Sequence, residues 1–404
     1  MAATTTGQEL TSSSSYLVTY NDTGNTGYES TPFYESTSPG TNDDYDGEFK
    51  FDDYTQRCIV SGIFIVVCIV GTFGNGLVIL AVLLSRKLRT VTNVFVVNLA
   101  AADLLVCFVL PWNAVGLLTK PGDGWPLPDQ LCVAVALISF TCVGCSLYTL
   151  ATIAINRWML ITRPSKTYRT CYTPAYLAAM IVIVWLVPFL VAFVPPRFGL
   201  GALGYTEKYS TCTHKNAHAL AMYYSLLQSV VLFPVPFVII IVSYVKIFKH
   251  VKQHTKVMKD QSEMSAETSN NRDSTHESVN TRDSAIRGTS KSDLSPRRPR
   301  DASVIKKRLS RRQVEITKNL FYVVCAFTIC IVPYGVALLI PPSDPVIPWT
   351  GALLVINSCI NPIIYATKHP YFKQVFRLML GCQCGKIPEQ SNFLRSVRST
   401  VRRT

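Results

Sequence analysis

Residues 58–84 read CIVSGIFIVVCIVGTFGNGLVILAVLL, a run without one charged side chain. About 20 consecutive apolar residues suffice for a helix to cross the hydrocarbon of a bilayer, and this run is longer than that. Similar blocks follow at about 93–118, 131–155, 174–196, 219–245, 319–340 and 346–367. A soluble core helix carries a polar stripe and does not recur seven times at such length. The sequence therefore predicts an all-α membrane protein, a bundle of seven transmembrane helices.

Lys and Arg in the short loops set the expected orientation. Arg86, Lys87 and Arg89 follow the first run, and Arg163, Lys166 and Arg169 follow the third. The loops on the other side hold only Lys120, then Arg197, Lys208 and Lys215. The positive-inside bias places the N-terminus outside and the C-terminus in the cytosol. The first fifty residues contain no apolar stretch, so the first span is expected to serve as the signal.

Composition divides the chain further. Residues 1–56 carry ten acidic residues against Lys50 alone and read as a disordered, acidic extracellular tail. Asn21-Asp22-Thr23 is a glycosylation sequon, and Tyr45 and Tyr54 sit among acids in a setting that suits tyrosine sulfation. Residues 57–380 hold the bundle. The loop at about 250–312 is basic, rich in Ser and Thr and without apolar periodicity, and is expected to be disordered. Within it Ser310 follows "KKRL" as basophilic kinases prefer, and Lys306–Arg312 suits anionic lipid headgroups. After the seventh run, Tyr371, Phe372, Val375, Phe376, Leu378 and Met379 form an apolar face opposite Lys373 and Arg377, an interfacial amphipathic helix. Cys382 and Cys384 begin the cytoplasmic tail, 381–404, where palmitoylation outranks a disulfide. The net charge of +14 belongs to these loops and implies no nucleic-acid partner. The chain lacks a phosphate loop, a metal-ligand cluster of His and Cys and a nucleophile elbow, so no enzyme is expected.

Two ionisable residues stand inside the apolar runs. Asp103, in NLAAADLLVCF, is the only acid within a span. A carboxylate at that depth must face the bundle interior and polar partners. Asn75, Ser146, Asn357, Ser358 and Asn361 are available, and together they make an oxygen-rich cluster able to hold a hard cation such as sodium. No cofactor is obligatory. Arg157, in ATIAINRWMLITRP (151–164), has no carboxylate beside it, which suggests a function rather than a structural ion pair.

Taken as a set, GTFGNGLVIL, NLAAADLLV, Asn156-Arg157, Trp185, Pro236 with Tyr244, Phe327 with Pro333, and NPIIY (Asn361, Pro362 to Tyr365) resemble a rhodopsin-like G-protein-coupled receptor. The resemblance covers about residues 57–382. It implies a disulfide between Cys132 and Cys212. Cys132 and Arg157 stand 25 residues apart, about 37 Å along one helix at ~1.5 Å per residue, so one helix joins the outer bridge to the inner arginine. The resemblance further implies a ligand-operated switch. The sixth helix hinges at Pro333, and Arg157 extends toward Tyr244, Tyr365 and a heterotrimeric G protein, with arrestin and kinases as further partners.

This chain departs from the family pattern at three places. Asn156 replaces the usual acid and Trp158 the usual Tyr; Gln313 stands where many members have Glu; Ile331 stands where an aromatic is expected. The Asn-Arg variant is similar to melatonin receptors and to moody-type invertebrate orphan receptors. Arg157 is then expected to be loosely restrained, with appreciable basal signalling. Asn113, Ser139, Gln228 and Tyr334 occupy positions that commonly line the pocket. Ser139 stands where amine receptors carry Asp, which argues against a biogenic amine, and Val355 stands where opsins carry their lysine. A neutral, lipid-like or indole-like molecule fits, while the acidic tail would suit a basic peptide. A scaffold or scavenger of the same fold that does not signal, or a transporter, are the competing readings.

Overall fold

The computed structural model describes residues 49–120, 122–215, 220–273 and 321–401. Among the described residues six helices are long and apolar enough to cross a membrane, and a seventh, shorter apolar helix spans Phe321–Ala337. The first, α1 (Tyr54–Leu84), starts where Asp53 accepts from the backbone N–H groups of Thr55 and Gln56, satisfying donors that a helix start leaves open. Along it Val60, Phe64, Val67, Gly71, Asn75 and Val78 are buried at three- and four-residue spacing, while Val66, Ile69 and Phe73 are exposed on the other face. That is the inverse of a soluble protein: the large exposed apolar side chains face lipid, and the interior collects the small and polar groups.

Helix α2 (Val91–Leu118) is capped by Thr90, and α3 (Asp129–Thr162) lies centrally against α2, the hairpin described below and the later helices. A short α4 (Ser165–Cys171) precedes α5 (Pro174–Arg197), which begins with Thr173 as cap and proline in its first turn. Trp185 of α5 donates through Nε1 to Asn98 Oδ1 at 2.8 Å, and Asn98 Nδ2 donates to Thr149 Oγ1 at 2.8 Å, so one amide ties α5, α2 and α3. Strands β1 (Leu203–Thr206) and β2 (Thr211–His214) form an antiparallel hairpin pairing Leu203 with His214 and Tyr205 with Cys212. Its turn presses on α2 at Gly116, where an added Cβ would stand 2.8 Å from the Ser210 carbonyl oxygen. Only glycine admits that approach.

The fifth span consists of α6 (Ala221–Leu232) and α7 (Pro234–Asp273), and the seventh-span helix α9 (Ile347–Lys368) follows α8 (Phe321–Ala337) through a 3-10 turn at Pro341–Val346. Helix α10 (Pro370–Leu380) then turns off, burying Phe372, Val375 and Phe376.

Several boundaries differ from the sequence reading. Helix α1 begins at Tyr54, inside the stretch 1–56 read as a disordered tail. The third helix continues to Thr162, beyond the expected end at 155, so Arg157 lies within α3 and does not close it. The stop is Pro164, which holds the preceding Arg163 extended at φ −108°, ψ 152°. The stretch 250–273, expected to be disordered with the rest of the loop to 312, continues α7. It contains neither Gly nor Pro, and Lys, Gln, Glu and Met recur along it, residues with high helix propensity. The fifth span is broken at Phe233, because Pro234 and Pro236 lack the N–H groups that would continue the ladder. Beyond α10 the chain also folds: residues 387–391 run back across the end of α1. Arg86 N–H donates to Glu389 O and Ser391 N–H to Leu84 O, before α11 (Asn392–Val401) begins.

Candidate functional site

At the hairpin side of the bundle, a disulfide joins Cys132 at the start of α3 to Cys212 of β2. Asn113 of α2 reinforces it, its Oδ1 accepting from the Cys212 backbone N–H at 3.0 Å. Beneath lies a cavity of about 680 Å³. All four sequence-predicted residues, Asn113, Ser139, Gln228 and Tyr334, line it. Their hydrogen-bonding capacity is partly spent: Asn113 holds the hairpin, and Ser139 Oγ donates to Val135 O at 2.7 Å. Gln228 pairs with the ring Nε2 of His214 at 2.9 Å, leaving its own Nε2 buried without a partner.

His214 was not anticipated. It sits between the rings of Phe140 and Tyr224, with centroids at 4.5 and 4.8 Å. Burial holds its pKa down, to about 4, against the favourable effect of Gln228, so the ring is neutral at physiological pH. The mouth of the cavity is crossed by a second unanticipated group. Lys208 Nζ of the hairpin turn meets Asp344 Oδ2 at 2.8 Å, and Tyr209 Oη donates to Asp344 Oδ1 at 2.6 Å. Asp344 is the only carboxylate in the lining, and Lys208 neutralises it.

Deeper in the bundle, Asp103 accepts from Asn361 Nδ2 at 2.9 Å and Ser358 Oγ at 3.2 Å. A cavity of about 20 Å³ beside it is lined by Asp103, Ser146, Asn357 and Ser358. Asn75 donates to Gly71 O and Ser358 O, tying α1 to α9. The side-chain oxygens of Asn357, in that lining, and of Asn361, whose amide meets Asp103, are buried and accept no hydrogen bond, unspent acceptors beside a carboxylate of the kind a hard cation takes; Asn75 Oδ1 is likewise unpartnered but lies outside the lining. This cavity shares Val106, Val143, Leu354 and Val355 with the upper one, and its other wall is Phe327 and Ile331 of α8. The two cavities therefore have one wall in common. Pro333, half-buried in α8 just above Ile331, removes one backbone donor there.

At the opposite end, Asn156 does not touch its neighbour's charge. Its Oδ1 accepts from Thr92 Oγ1 at 2.8 Å and its Nδ2 donates to Tyr168 Oη at 3.0 Å, so it joins α2, α3 and α4. Arg157 is buried with its Nε unpartnered, and the hydroxyls of Tyr244 on α7 and Tyr365 on α9 are likewise buried and unpartnered. Pro362 is buried in α9, and the Tyr365 ring stacks on Phe372 of α10 at 5.5 Å. Trp158 has two cations over its indole: Lys246 Nζ at 4.6 Å and Arg163 Cζ at 5.4 Å from the ring centroid. Cys382 is exposed, whereas Cys384 is half-buried against the core. Asn21, Tyr45, Lys306–Arg312, Ser310 and Gln313 lie outside the described residues.

Sequence reading also passed over Arg57, which is fully buried at the hairpin end of α1. Its guanidinium donates to the carbonyls of Leu117 (2.7 Å), Gly116 (3.3 Å) and Thr119 (2.5 Å), capping the last turn of α2 where helix carbonyls have no internal partner. Its i+4 spacing from Asp53 suggests a surface ion pair, and only the fold reveals the other use.

Residues 74–365 match the family described as "7 transmembrane receptor (rhodopsin family)". The chain belongs to that family: it is a rhodopsin-like, multi-pass membrane receptor and not an enzyme. It is 26% identical over 341 residues to 5-hydroxytryptamine receptor 4 of Rattus norvegicus, covering 81% of this chain and 77% of the relative. It is 29% identical over 335 residues to the alpha-1A adrenergic receptor of Oryzias latipes, covering 81% and 67%. The fold is similar to that in the crystal structure of squid rhodopsin, with a TM-score of 0.64 at 22% identity over 83% of this chain and 89% of that one. These comparisons establish the family and not the branch within it.

Proposed function

We propose that the protein is a plasma-membrane receptor with its N-terminus outside. It binds a neutral extracellular ligand in the 680 Å³ cavity and activates a heterotrimeric G protein at the Arg157 end. The observation that carries the coupling is the trio of buried, unpartnered polar groups there: Arg157 Nε, Tyr244 Oη and Tyr365 Oη. Each such group costs on the order of 1–3 kcal/mol, so the arrangement favours a second state in which they meet one another and a docked protein. A ligand shifts that balance only by binding the second state better, and the shared walls of the two cavities give it a mechanical route.

The relatives named above include receptors for 5-hydroxytryptamine, yet an amine is not the ligand favoured here. Ser139 offers no charge and its hydroxyl is already bonded to Val135, while Asp344 is matched by Lys208. A neutral, mostly apolar molecule leaves no charge unpaired in this lining. The oxygens around Asp103 support a sodium ion that stabilises the resting state.

The test is ligand-free nucleotide exchange with the full chain in nanodiscs, screened across G-protein classes, for wild type and Arg157→Ala. Exchange above the receptor-free rate for at least one class, abolished by Arg157→Ala, is expected. No stimulation of any class, or stimulation indifferent to Arg157→Ala, would overturn the coupling.

A further inference from the structure

Among the described residues the two cations over Trp158 have no acidic counterpart. Between Asp129 and Asp260 the chain contains one acid, Glu207, and that residue belongs to the hairpin at the far end. Lys246 on α7 and Arg163 at the end of α3 are both exposed, and neither forms an ion pair among the described residues. Their distances to one ring centroid, 4.6 and 5.4 Å, put the two charges no more than about 10 Å apart. Lys166 and Arg169 on α4 and Lys249 on α7 are exposed as well. The neighbouring face of α7 is apolar and bare: Val242, Val245 and Phe248 are among the exposed large hydrophobic side chains.

Unpaired like charges gathered on an indole repel one another and are held together only at some expense. An apolar face beside them marks the level of the acyl chains, and a half-buried tryptophan beneath cations is the composition of a membrane interface. An anion placed between the cations relieves the repulsion, and the source of anions at that depth is the bilayer itself.

The geometry points to a binding site for the phosphate of an anionic phospholipid of the cytosolic leaflet, held by Arg163 and Lys246 on the Trp158 platform between α3, α4 and α7. The lipid's chains lie along Val242, Val245 and Phe248. It thereby bridges the arginine-bearing helix to α7. The inference uses the membrane orientation proposed above and none of the G-protein coupling.

The test is native mass spectrometry of the full chain released from nanodiscs of equal parts phosphatidylcholine and phosphatidylserine. Wild type is expected to retain phosphatidylserine in preference. Each basic residue at the bilayer surface contributes about fivefold in affinity, so the double variant Arg163→Gln/Lys246→Gln is expected to lower retention about twenty-five-fold. Exchange of the cations, Arg163→Lys/Lys246→Arg, should preserve it, and Trp158→Leu should weaken it. Lys373→Gln/Arg377→Gln on α10 serves as control for a general loss of charge and should change it little. Equal retention of both lipids by wild type, or undiminished retention by the double variant, overturns the site. Unchanged retention with reduced G-protein-stimulated exchange overturns it in favour of a protein partner. A wild type that activates no G protein yet loses lipid through Arg163→Gln/Lys246→Gln refutes the coupling alone.

Discussion

Asn156→Asp replaces one NH₂ group by an oxygen and adds one charge, in a position where both amide atoms are already bonded. Thr92 Oγ1 can donate to the new carboxylate as it donates to Asn156 Oδ1, and Tyr168 Oη, now an acceptor, can turn its proton toward it. The hydrogen bonds therefore survive and the change is almost purely electrostatic. Arg157 is next along α3 and buried. A unit charge ~5 Å from a guanidinium gains about 3 kcal/mol at an effective dielectric of 20. Burying the carboxylate takes back roughly half of this, between about 1 and 2 kcal/mol. A net of about 1–2 kcal/mol favours the retracted arginine, because extension toward Tyr244 and Tyr365 leaves the carboxylate behind. At about 1.4 kcal/mol per tenfold, ligand-free activity should fall roughly five- to thirtyfold. The assay is the initial rate of nucleotide exchange per receptor in nanodiscs, without ligand, for wild type, Asn156→Asp and Asn156→Ala. Asn156→Ala removes the bonds to Thr92 and Tyr168 and adds no charge, so it should lower thermal stability without suppressing basal exchange. An Asn156→Asp rate equal to or above that of wild type would refute the reasoning.

Other perturbations follow from the same geometry. Arg57→Met uncaps the carbonyls of Gly116, Leu117 and Thr119; losing such charge-assisted bonds costs about 2 kcal/mol, read as a shorter half-life in thermal inactivation at fixed temperature. His214 in the native state has a pKa of about 4 against an ordinary 6.5, so the native state binds fewer protons than the unfolded chain as pH falls. Its contribution to stability is intact above pH 6.5 and is lost on acidification toward pH 4, and His214→Gln should flatten that acid limb of a thermal-stability profile. Asp103→Asn removes the charge among the oxygens of Ser146, Asn357 and Ser358; sodium, but not potassium or choline, should raise the melting temperature of wild type, and the variant should show no difference among the three salts.

The bundle was legible because its signals are local. An uncharged run such as 58–84 states its own environment, and the basic loops at 86–89 and 163–169 state a side. Asp103 and Arg157 drew attention for the same reason, being charges in apolar sequence. Some features went unread because their cause lies elsewhere in the chain. Residues 250–273 carry no apolar periodicity, yet they continue a helix already running in α7. The hairpin at 203–214 forms where Gly116 admits its turn and Cys132 ties its second strand. The strap at 387–391 exists only because Leu84 and Arg86 offer a backbone edge three hundred residues earlier.

The sequence by itself therefore determined the architecture, since transfer of apolar residues from water to lipid is a property of each segment taken alone. It also marked which charges must be accounted for. Only the tertiary structure decided how each polar group is spent: Asn113 and Ser139 on the scaffold, Arg57 on the last turn of α2, Asn156 on Thr92 and Tyr168, and Arg157 Nε on nothing. A hydrogen bond depends on angstroms between residues far apart in the chain, and those distances exist only once the helices have packed.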